Sequence, residues 1–591
     1  DYEDLDRLGV SVKGAIVIAK YGNSWRGIKP KVAAEHGAIG WLLYSDPQDD
    51  GYFVDNVFPK GPMRPADGVQ RGSVMDFPSS SPGDPLTPGI GATADAKRLA
   101  VKDAPSITKI PVLPISYGDA QPLLAALTGP MAPKEWRGGL TIPYHVGPGA
   151  AKVHLKVSFN WDIKPVYDII AKIPGSEQPD AWVIRGNHHD AWVNGAEDPT
   201  SGQVTLLEEA RALGELSKQG WKPKRTIIYC AWDGEEPMLL GSTEWAEEHD
   251  KEIQQHAVAY INSDGNSRGY LSMNGSHTLE HFVNGVARDI QDPDSGLPVT
   301  QRLRLREIEQ AKTAEDRQEL RQRADLRVEA LGSGSDYTAF IDHLGIATLD
   351  LSYVGEVDSG IYHSVYDDFY WYTHFADTDF VYGRALSQTI GTVVMRLADA
   401  DLLPFEFTDL ADTIRVYTKE LKKLATDERD AILERNKEID EGLFSAVNDP
   451  RHPKVAPPRE DVPPYLNFAP LDNATDALAL SAGRYQDALN KTKGMELPAG
   501  TLSDLNQKLA ASEQRLTTPE GLLRRPWYKH MIYAPGVYSG YDAKTIPGVR
   551  EAIEQKHWDE ASSEIVRVSK VLDNERALID SAAQDLEAAK H

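Results

Sequence analysis

Short apolar runs alternate with helical patterns through the middle of the chain. The apolar positions over 202–216 recur at the spacing of a helix. Predicted strands span 166–173, 181–185, 225–231, 257–262 and 346–351. Strands that alternate with helices indicate an α/β sheet covered by helices. We therefore predict one α/β unit over residues 156–402.

The region before this unit, residues 1–155, has a β-rich pattern. Apolar and partly β-branched runs at 14–19 and 40–44 predict two strands, and the residues at 31–37 between them predict a short helix. Residues 76–93 are rich in Ser, Pro and Gly and predict a loop. The sequence thus predicts a separate β-rich domain at the N-terminal end.

The region after the α/β unit, residues 403–591, predicts a helical domain. Apolar residues recur at helical spacing over 410–424 and again over 548–590. A proline-rich loop is predicted between them at 449–470. Within the α/β unit, the highly charged stretch 300–327 predicts a solvated surface helix.

Composition narrows the classes of protein that this chain can belong to. A chain of 591 residues is too long for one core, and two to four domains are expected. The net charge of −26 opposes binding to a phosphate backbone, so nucleic acid is not an expected partner. No apolar run is long enough to cross a bilayer. Cys230 is the single cysteine, which excludes an internal disulfide and a thiolate zinc cluster, and we expect it to be buried.

Histidine and acidic residues cluster at the ends of the predicted strands. The cluster residues are His188, Asp190, Asp198, Glu235, Glu236, Asp264 and His363. Active sites of open α/β sheets gather at the carboxyl ends of strands. Imidazole and carboxylate groups are zinc ligands, and two zinc ions about 3.5–4 Å apart can act together in hydrolysis. The set therefore suits a two-metal hydrolytic site.

Local spacing suggests roles for some of these residues. If the strand continues through residue 190, His188 and Asp190 face one side and His189 faces the other, so Asp190 can hold the second ring nitrogen of His188. The spacing alone leaves the choice between His188 and His189 open. Glu235 and Glu236 would diverge in an extended segment, so that one binds metal and the other reaches the attacking water.

These motifs resemble one family over essentially the whole chain. The stretches at 186–193, 198–202, 232–236, 240–246, 260–264, 332–336, 362–366 and 528–535 resemble the glutamate carboxypeptidase II and transferrin receptor family of zinc peptidases. The resemblance implies a zinc-exopeptidase α/β fold with a phosphorylase/hydrolase-like mixed sheet. It also implies a protease-associated (apical) domain at 1–155, the peptidase domain at 156–402, and a helical transferrin receptor-like dimerisation domain at 403–591.

The resemblance assigns a role to each site residue. It implies that His188 and Asp264 hold one Zn²⁺, that Glu236 and His363 hold the other, and that Asp198 bridges them. It makes Glu235 the general acid/base and Tyr362 the donor that stabilises the oxyanion. A structural Ca²⁺ site is implied at Thr87, Glu244, Glu247 and the backbone oxygen of Ile90.

The chain departs from the family at the substrate pocket. Asp350 and Ser352 stand where glutamate-preferring members carry two arginines, Ser335 replaces an asparagine, and Gly540 replaces a lysine. The retained pocket positions are Arg26 and Tyr541. We therefore expect that the enzyme does not prefer C-terminal glutamate, and that Asp350 can select a basic side chain or a free amino terminus.

Three functions remain open at this level. The favoured one is a two-zinc exopeptidase that hydrolyses small peptides, either a carboxypeptidase or an aminopeptidase. The second is a receptor-like binding protein on the same fold, and the third is a single-metal amidohydrolase. The resemblance further implies a homodimer and a secreted or periplasmic location.

Overall fold

The computed structural model describes residues 1–357, 359–447 and 456–589. Its strands are β1 Ile16–Lys20, β2 Gly40–Tyr44, β3 Val112–Ile115, β4 Ile169–Ile173, β5 Gln178–His188, β6 Arg225–Trp232, β7 Ala257–Asn262, β8 Gly269–Gly275, β9 Thr348–Gly355, β10 Tyr533–Gly536 and β11 Gly540–Thr545. Its α-helices are α1 Tyr2–Arg7, α2 Ile28–Glu35, α3 Pro47–Asp50, α4 Tyr117–Ala125, α5 Ser201–Lys218, α6 Glu235–Met238, α7 Leu240–Glu248, α8 Asp250–His256, α9 Glu280–Asp289, α10 Val299–Gln310, α11 Ala314–Gln322, α12 Phe369–Trp371, α13 Val381–Asp399, α14 Thr408–Asp440, α15 Leu443–Ala446, α16 Ala469–Thr492, α17 Ala499–Ala510, α18 Ser512–Arg515, α19 Pro547–Glu554 and α20 Trp558–Ala588.

A six-stranded mixed sheet forms the centre of the molecule. Its strand order is β4-β6-β5-β7-β9-β8, in which β6, β5, β7 and β9 are parallel and the edge strands β4 and β8 are antiparallel to their neighbours. Strands β6 and β7 are buried along their whole length, which explains their continuous apolar sequences. The predicted α/β fold with a mixed sheet is confirmed, and Cys230 is buried in β6.

Two sequence predictions about this sheet need correction. The strand predicted from residue 166 begins only at Ile169. The amide of Tyr167 donates to the Asp233 carboxylate at 2.7 Å, and Asp168 accepts from the Asp233 amide at 2.9 Å. These bonds to side chains replace the ladder bonds that would extend β4. The pattern also missed β8, in which glycines occupy both ends.

The N-terminal region is built around a small parallel sheet in the order β1-β2-β3. The strand predicted at 40–44 coincides with β2, and the predicted helix at 31–37 is α2, which begins and ends earlier. The predicted loop at 76–93 contains neither helix nor strand.

The C-terminal region is helical, as predicted. Helices α14, α16 and α20 pack along one another and bury apolar residues between them. The single helix predicted over 548–590 is two helices, α19 and α20, because the chain turns at Lys556 with a φ of 61°. Of the loop predicted at 449–470, residues 449–455 lie outside the described residues, and 456–468 contain neither helix nor strand.

The charged stretch 300–327, predicted as one surface helix, forms two helices, α10 and α11, and α11 buries none of its residues. Among the described residues, no helix has the length and apolar character needed to cross a membrane.

Candidate metal centre and active site

All five predicted metal ligands come together at the carboxyl edge of the central sheet. His188 is the last residue of β5, Asp264 follows β7, and Glu236 is the second residue of α6, which follows β6. Asp198 lies in the turn before α5, and His363 lies in the loop after β9. Parallel strands direct their carboxyl ends to the same edge of a sheet, so residues distant in sequence meet there.

Asp198 lies between the two histidines. One of its carboxylate oxygens is 3.4 Å from His188 Nε2, and the other is 3.2 Å from His363 Nε2. His188 Nε2 is also 3.0 Å from Asp264 Oδ1, and His363 Nε2 is 3.1 Å from Glu236 Oε2. The arrangement gives two groups, each with one imidazole and one carboxylate, and Asp198 presents one oxygen to each group.

Both groups have the chemistry of a zinc site. Ligand atoms of His188, Glu235 and Asp264 lie within 4.8 Å of one another, as do those of Asp198, Glu236 and His363. Nitrogen and carboxylate oxygen are zinc ligands, and the ligand side chains are largely buried from water. On this donor set, the residues fit zinc.

The structure brings His188 into the cluster and leaves His189 outside it. His188 is 1% exposed, whereas His189 is exposed and its Nε2 lies 3.2 Å from the carbonyl oxygen of Tyr167. The other ring nitrogen of His188, Nδ1, is 3.4 Å from Asp190 Oδ1 and 3.1 Å from the Asp190 carbonyl oxygen. Asp190 therefore stands behind His188, on the side away from the ligand cluster.

The Glu235–Glu236 pair is not extended, contrary to the sequence prediction. Gly234 has a left-handed φ of 72° and starts α6, so that both glutamates lie in its first turn. The Asp190 carboxylate accepts hydrogen bonds from the backbone amides of Glu235 and Glu236 at 3.0 and 3.2 Å. Successive helical residues point about 100° apart, so the two side chains still diverge. Glu235 faces His188 at 3.9 Å, and Glu236 faces His363.

The charged side chains of the cluster shift one another's pKa values. Burial alone would raise the pKa of Asp198, but its bonds to His188 and His363 outweigh burial and hold the pKa well below the usual range. Burial would lower the pKa of His188, yet the charges of Asp264 and Glu235 raise it well above the usual value. Burial raises the pKa of Glu235 well above that of a free glutamate. A bound cation would compete with protons for the ring nitrogens of both histidines.

The cavity beside the cluster is lined by all three regions of the chain. Trp25 and Arg26 come from the N-terminal region, Tyr541 from the C-terminal region, and Tyr362 from the α/β region. Arg26 Nη1 donates to the Tyr541 hydroxyl at 2.8 Å, and the guanidinium lies 4.3 Å from the centre of the Trp25 ring. The ring of Tyr362 stacks on that of His363 with centroids 3.6 Å apart.

The other predicted pocket residues lie on neighbouring strands and loops. The Asn262 amide donates to Ser335 Oγ at 3.1 Å and to Asp350 Oδ1 at 2.9 Å. Burial raises the pKa of Asp350 to about 6, and the bond from Asn262 opposes that rise. Ser352 lies two residues further along β9, opposite Ser272 of β8.

Several contacts that shape the cluster were not predicted from the sequence. The Arg71 carbonyl oxygen lies 3.0 Å from His363 Nδ1, and Arg64 Nη2 donates to the Tyr362 carbonyl at 2.9 Å. The Asp367 carboxylate accepts from the amides of Glu197 and Asp198 at 2.7 and 3.2 Å. A backbone carbonyl carries no residue-type signal, so the contact of Arg71 with His363 could not be predicted from the sequence. Asp367 follows His363 closely, and that proximity was a usable signal.

The residues expected to hold calcium lie near one another in the fold. Thr87 Oγ1, Glu244 Oε2 and Glu247 Oε2 are buried and have no hydrogen-bond partner. Burial raises the pKa of Glu244 to about 8 and that of Glu247 to about 7. Ile90 donates its backbone amide to the Thr87 carbonyl at 3.1 Å. Buried acidic oxygens without a partner suit a hard cation such as calcium.

Comparison with known proteins gives the family. Residues 168–376 match the model of peptidase family M28, and residues 466–580 match the transferrin receptor-like dimerisation domain. A probable glutamate carboxypeptidase, LAMP1 of Arabidopsis thaliana, is 34% identical over 93% of this chain and 72% of its own length. Aminopeptidase NAALADL1 of Mus musculus is 31% identical over 93% of this chain and 71% of its own length.

Among solved structures, BSAP, a zinc aminopeptidase from Bacillus subtilis, is similar at 14% identity with a TM-score of 0.35. The match covers 66% of this chain and 72% of the BSAP chain.

The chain belongs to peptidase family M28 and carries a transferrin receptor-like dimerisation domain. It is a hydrolase, a peptidase.

Proposed function

We propose that this protein is a two-zinc exopeptidase that hydrolyses peptide bonds of small peptides. The observation that carries the proposal is the position of Asp198, whose two oxygens lie 3.4 and 3.2 Å from the ring nitrogens of His188 and His363. His188 and Asp264 would hold one zinc, Glu236 and His363 the other, and Asp198 would bridge the pair. When bound, zinc acts as a Lewis acid on the scissile carbonyl and lowers the pKa of water.

Glu235 is the proposed general acid/base. Asp198 and Asp264 already supply two carboxylates beside His188, so Glu235 is free to accept and return a proton at its Oε2 atom. Its surroundings raise its pKa, which suits a group that exchanges protons near neutral pH once a cation offsets part of that rise. Tyr362 is the proposed donor to the developing oxyanion, because its phenol lines the cavity beside His363. Asp190 would hold His188 and the start of α6 in register.

The proposed substrate pocket combines Arg26, Tyr541, Ser335, Asp350 and Ser352. Arg26 offers a guanidinium to a substrate carboxylate, and Tyr541 orients it. Asp350 adds a negative charge on β9, which opposes an acidic side chain and favours a basic group or a free amino terminus. We therefore propose that the enzyme does not select C-terminal glutamate. If the pocket binds the carboxyl terminus of the peptide, the enzyme is a carboxypeptidase. If it binds the free amino terminus, the enzyme is an aminopeptidase.

Two further features are proposed on separate grounds. The unpartnered oxygens of Thr87, Glu244 and Glu247, with the carbonyl oxygen of Ile90, would hold one structural Ca²⁺. The dimerisation domain at 466–580 supports a homodimer.

A peptide panel tests the proposed reaction. Peptides with free or blocked termini are incubated with the enzyme, with and without a chelator, and products are identified by mass spectrometry. We expect single terminal residues to be released, only from peptides with the required free terminus, and only without chelator. Release of internal fragments from doubly blocked peptides would contradict an exopeptidase. Strict selectivity for glutamate-ending peptides would contradict the role of Asp350.

Glu235→Gln tests the proton-transfer role, with Glu208→Gln on the exposed face of α5 as the control. We expect the first variant to keep its zinc and lose about 10²- to 10⁴-fold in kcat. The control should match the wild type. Unchanged turnover in Glu235→Gln would refute the assignment.

A further inference from the structure

A buried ion pair lies behind the metal cluster, in the interior of the sheet. Arg185 of β5 and Glu209 of α5 form it, with Nε to Oε2 at 3.1 Å and Nη2 to Oε1 at 3.3 Å. Both side chains are completely buried. A buried pair of this kind loses much of its Coulomb energy to desolvation, and apolar replacements are often equally stable or more so. Stability alone therefore does not account for two charges at this position.

The pair is joined to the ligand-bearing strand ends by a continuous run of hydrogen bonds. Arg185 Nη2 donates to Ser263 Oγ at 2.7 Å, and the Ser263 hydroxyl donates to Asn187 Oδ1 at 2.5 Å. The Asn187 amide then donates to the carbonyl of His188 at 2.9 Å. Arg185, Asn187 and Ser263 are all fully buried. We call Glu209, Arg185, Ser263 and Asn187 the Arg185 network.

Each member of the Arg185 network adjoins a ligand or its supporting element. Asn187 immediately precedes His188, and Ser263 immediately precedes Asp264. Glu209 belongs to α5, which begins three residues after Asp198. At the start of α5, Gly202 packs so closely on the Asp264 carbonyl and the Asn187 side chain that no Cβ atom fits there. The network thus connects the three elements that carry His188, Asp264 and Asp198.

The chemistry of arginine suits this task. The guanidinium is planar, stays charged, and presents donors in fixed directions, so it holds several acceptors in one geometry. Arg185 also donates through Nη1 to the Gly186 carbonyl, within β5 itself. Because the guanidinium can only donate, the Ser263 hydroxyl must accept from it and can turn its own proton to Asn187. The direction of each hydrogen bond from Arg185 through Ser263 and Asn187 to the His188 carbonyl is therefore determined.

We propose that Arg185 and Glu209 are positioning residues that set the geometry of the metal group formed by His188, Asp264 and Asp198. The inference rests on the proposed metal roles of these three side chains. Partners beyond the direct ligands typically alter metal affinity by about 10- to 100-fold when they are removed. The second group shares only Asp198 with the first, and its own residues Glu236 and His363 lie on other elements, so it should be affected less.

The test is a paired replacement that leaves no buried charge unpartnered. Arg185→Met/Glu209→Leu replaces the ion pair with apolar side chains of similar size. The matched control is Arg525→Met/Glu551→Leu, because Arg525 and Glu551 form another buried pair, with both Nη2 to carboxylate distances at 2.7 Å, away from the cluster. Metal-free protein is titrated with Zn²⁺ against a chromophoric chelator, and the melting temperature of the metal-free protein is measured alongside.

We expect the Arg185/Glu209 variant to bind zinc about 10- to 100-fold more weakly at one site, with a smaller loss of affinity at the other. Its metal-free melting temperature should stay close to that of the wild type, and the control should keep both affinities. A folded variant with both affinities unchanged would overturn the inference.

A second variant covers the case in which the paired replacement does not fold. Ser263→Ala keeps the ion pair and removes the hydroxyl that joins Arg185 to Asn187. We expect it to weaken the same zinc site, and unchanged affinity in this variant would overturn the inference as well. If the wild type itself takes up a single zinc, the two-metal proposal fails, whereas the comparison of variant with wild type still decides the role of the Arg185 network.

Discussion

Arg64 Nη2 donates a hydrogen bond of 2.9 Å to the backbone carbonyl of Tyr362. Arg64 belongs to the N-terminal region and is fully buried, with its Nε 2.8 Å from Asp50. The neighbouring His363 has a left-handed φ of 55°, a conformation that a histidine adopts only when its surroundings hold it. The N-terminal region therefore helps to shape the turn that carries a proposed zinc ligand.

Arg64→Lys tests this contact. Lysine keeps the charge beside Asp50 but lacks the second donor that reaches Tyr362. We expect kcat to fall by about tenfold or more while the fold is retained. Lys20→Met, which removes a partly exposed pair with Asp49 in the same region, is the control and should leave kcat unchanged. Equal kcat in both variants would show that the contact is dispensable.

Gly540 explains why the pocket departs from the family pattern at this position. It has a φ of 77°, and a Cβ atom there would overlap Trp25, which lines the cavity. We expect Gly540→Ala to displace Trp25, raise KM and lower the melting temperature. Gly14→Ala is the matched control, because Gly14 has a φ of 74° and open space around it. An equal effect of both changes would mean that backbone strain, rather than the contact with Trp25, is responsible.

The buried carboxyl of Glu575 should make the stability of the helical domain depend on pH. Burial raises its pKa from 4.5 to about 8, although the Ser512 hydroxyl donates to it at 2.7 Å. A raised carboxyl pKa gives stability that is complete below pH 4.5 and is lost as the pH rises toward 8. Glu575→Gln should therefore gain little at pH 5 and raise the melting temperature by about 2 °C or more at pH 8.

The control for this prediction is Glu434→Gln, which lies on an exposed part of α14. It should shift the melting temperature equally at both pH values. A Glu575→Gln effect that is the same at pH 5 and pH 8 would contradict the buried, protonated state of Glu575.

Metal binding should release protons. In the metal-free cluster, neighbouring carboxylates raise the pKa of His188 and His363 against the opposing effect of burial, so both histidines bind a proton more tightly than a free imidazole does. A zinc ion must displace these protons, and its apparent affinity should fall as the pH falls. Calorimetry in buffers of different ionisation enthalpy measures the protons released per zinc. Zero release at pH 6 to 7 would contradict this description of the cluster.

The sequence predicted the centre of the molecule better than its periphery. Strand β7 matched its predicted bounds because a continuous apolar run suits a strand buried on both faces. The edge strand β8 was missed because glycines occupy both of its ends and weaken the pattern of a strand. The residues of the metal cluster could be named because their types and their places after strands carry chemical information.

The rest of the site depends on tertiary contacts that no local pattern records. The left-handed Gly234 turned an expected extended segment at Glu235 into a helix. Arg26 meets Tyr541 across 515 residues of chain, and the resemblance named both without giving their hydrogen bond. Asn187 and Ser263 read as unremarkable polar residues until the fold places them beside Arg185.

The most direct test of the two-metal account is zinc-edge anomalous diffraction from crystals of the zinc-loaded enzyme. We expect two anomalous peaks about 3.5–4 Å apart. One peak should lie beside His188 and Asp264 and the other beside Glu236 and His363, with Asp198 between them. A single peak in a fully active enzyme, or two peaks that Asp198 does not bridge, would contradict it.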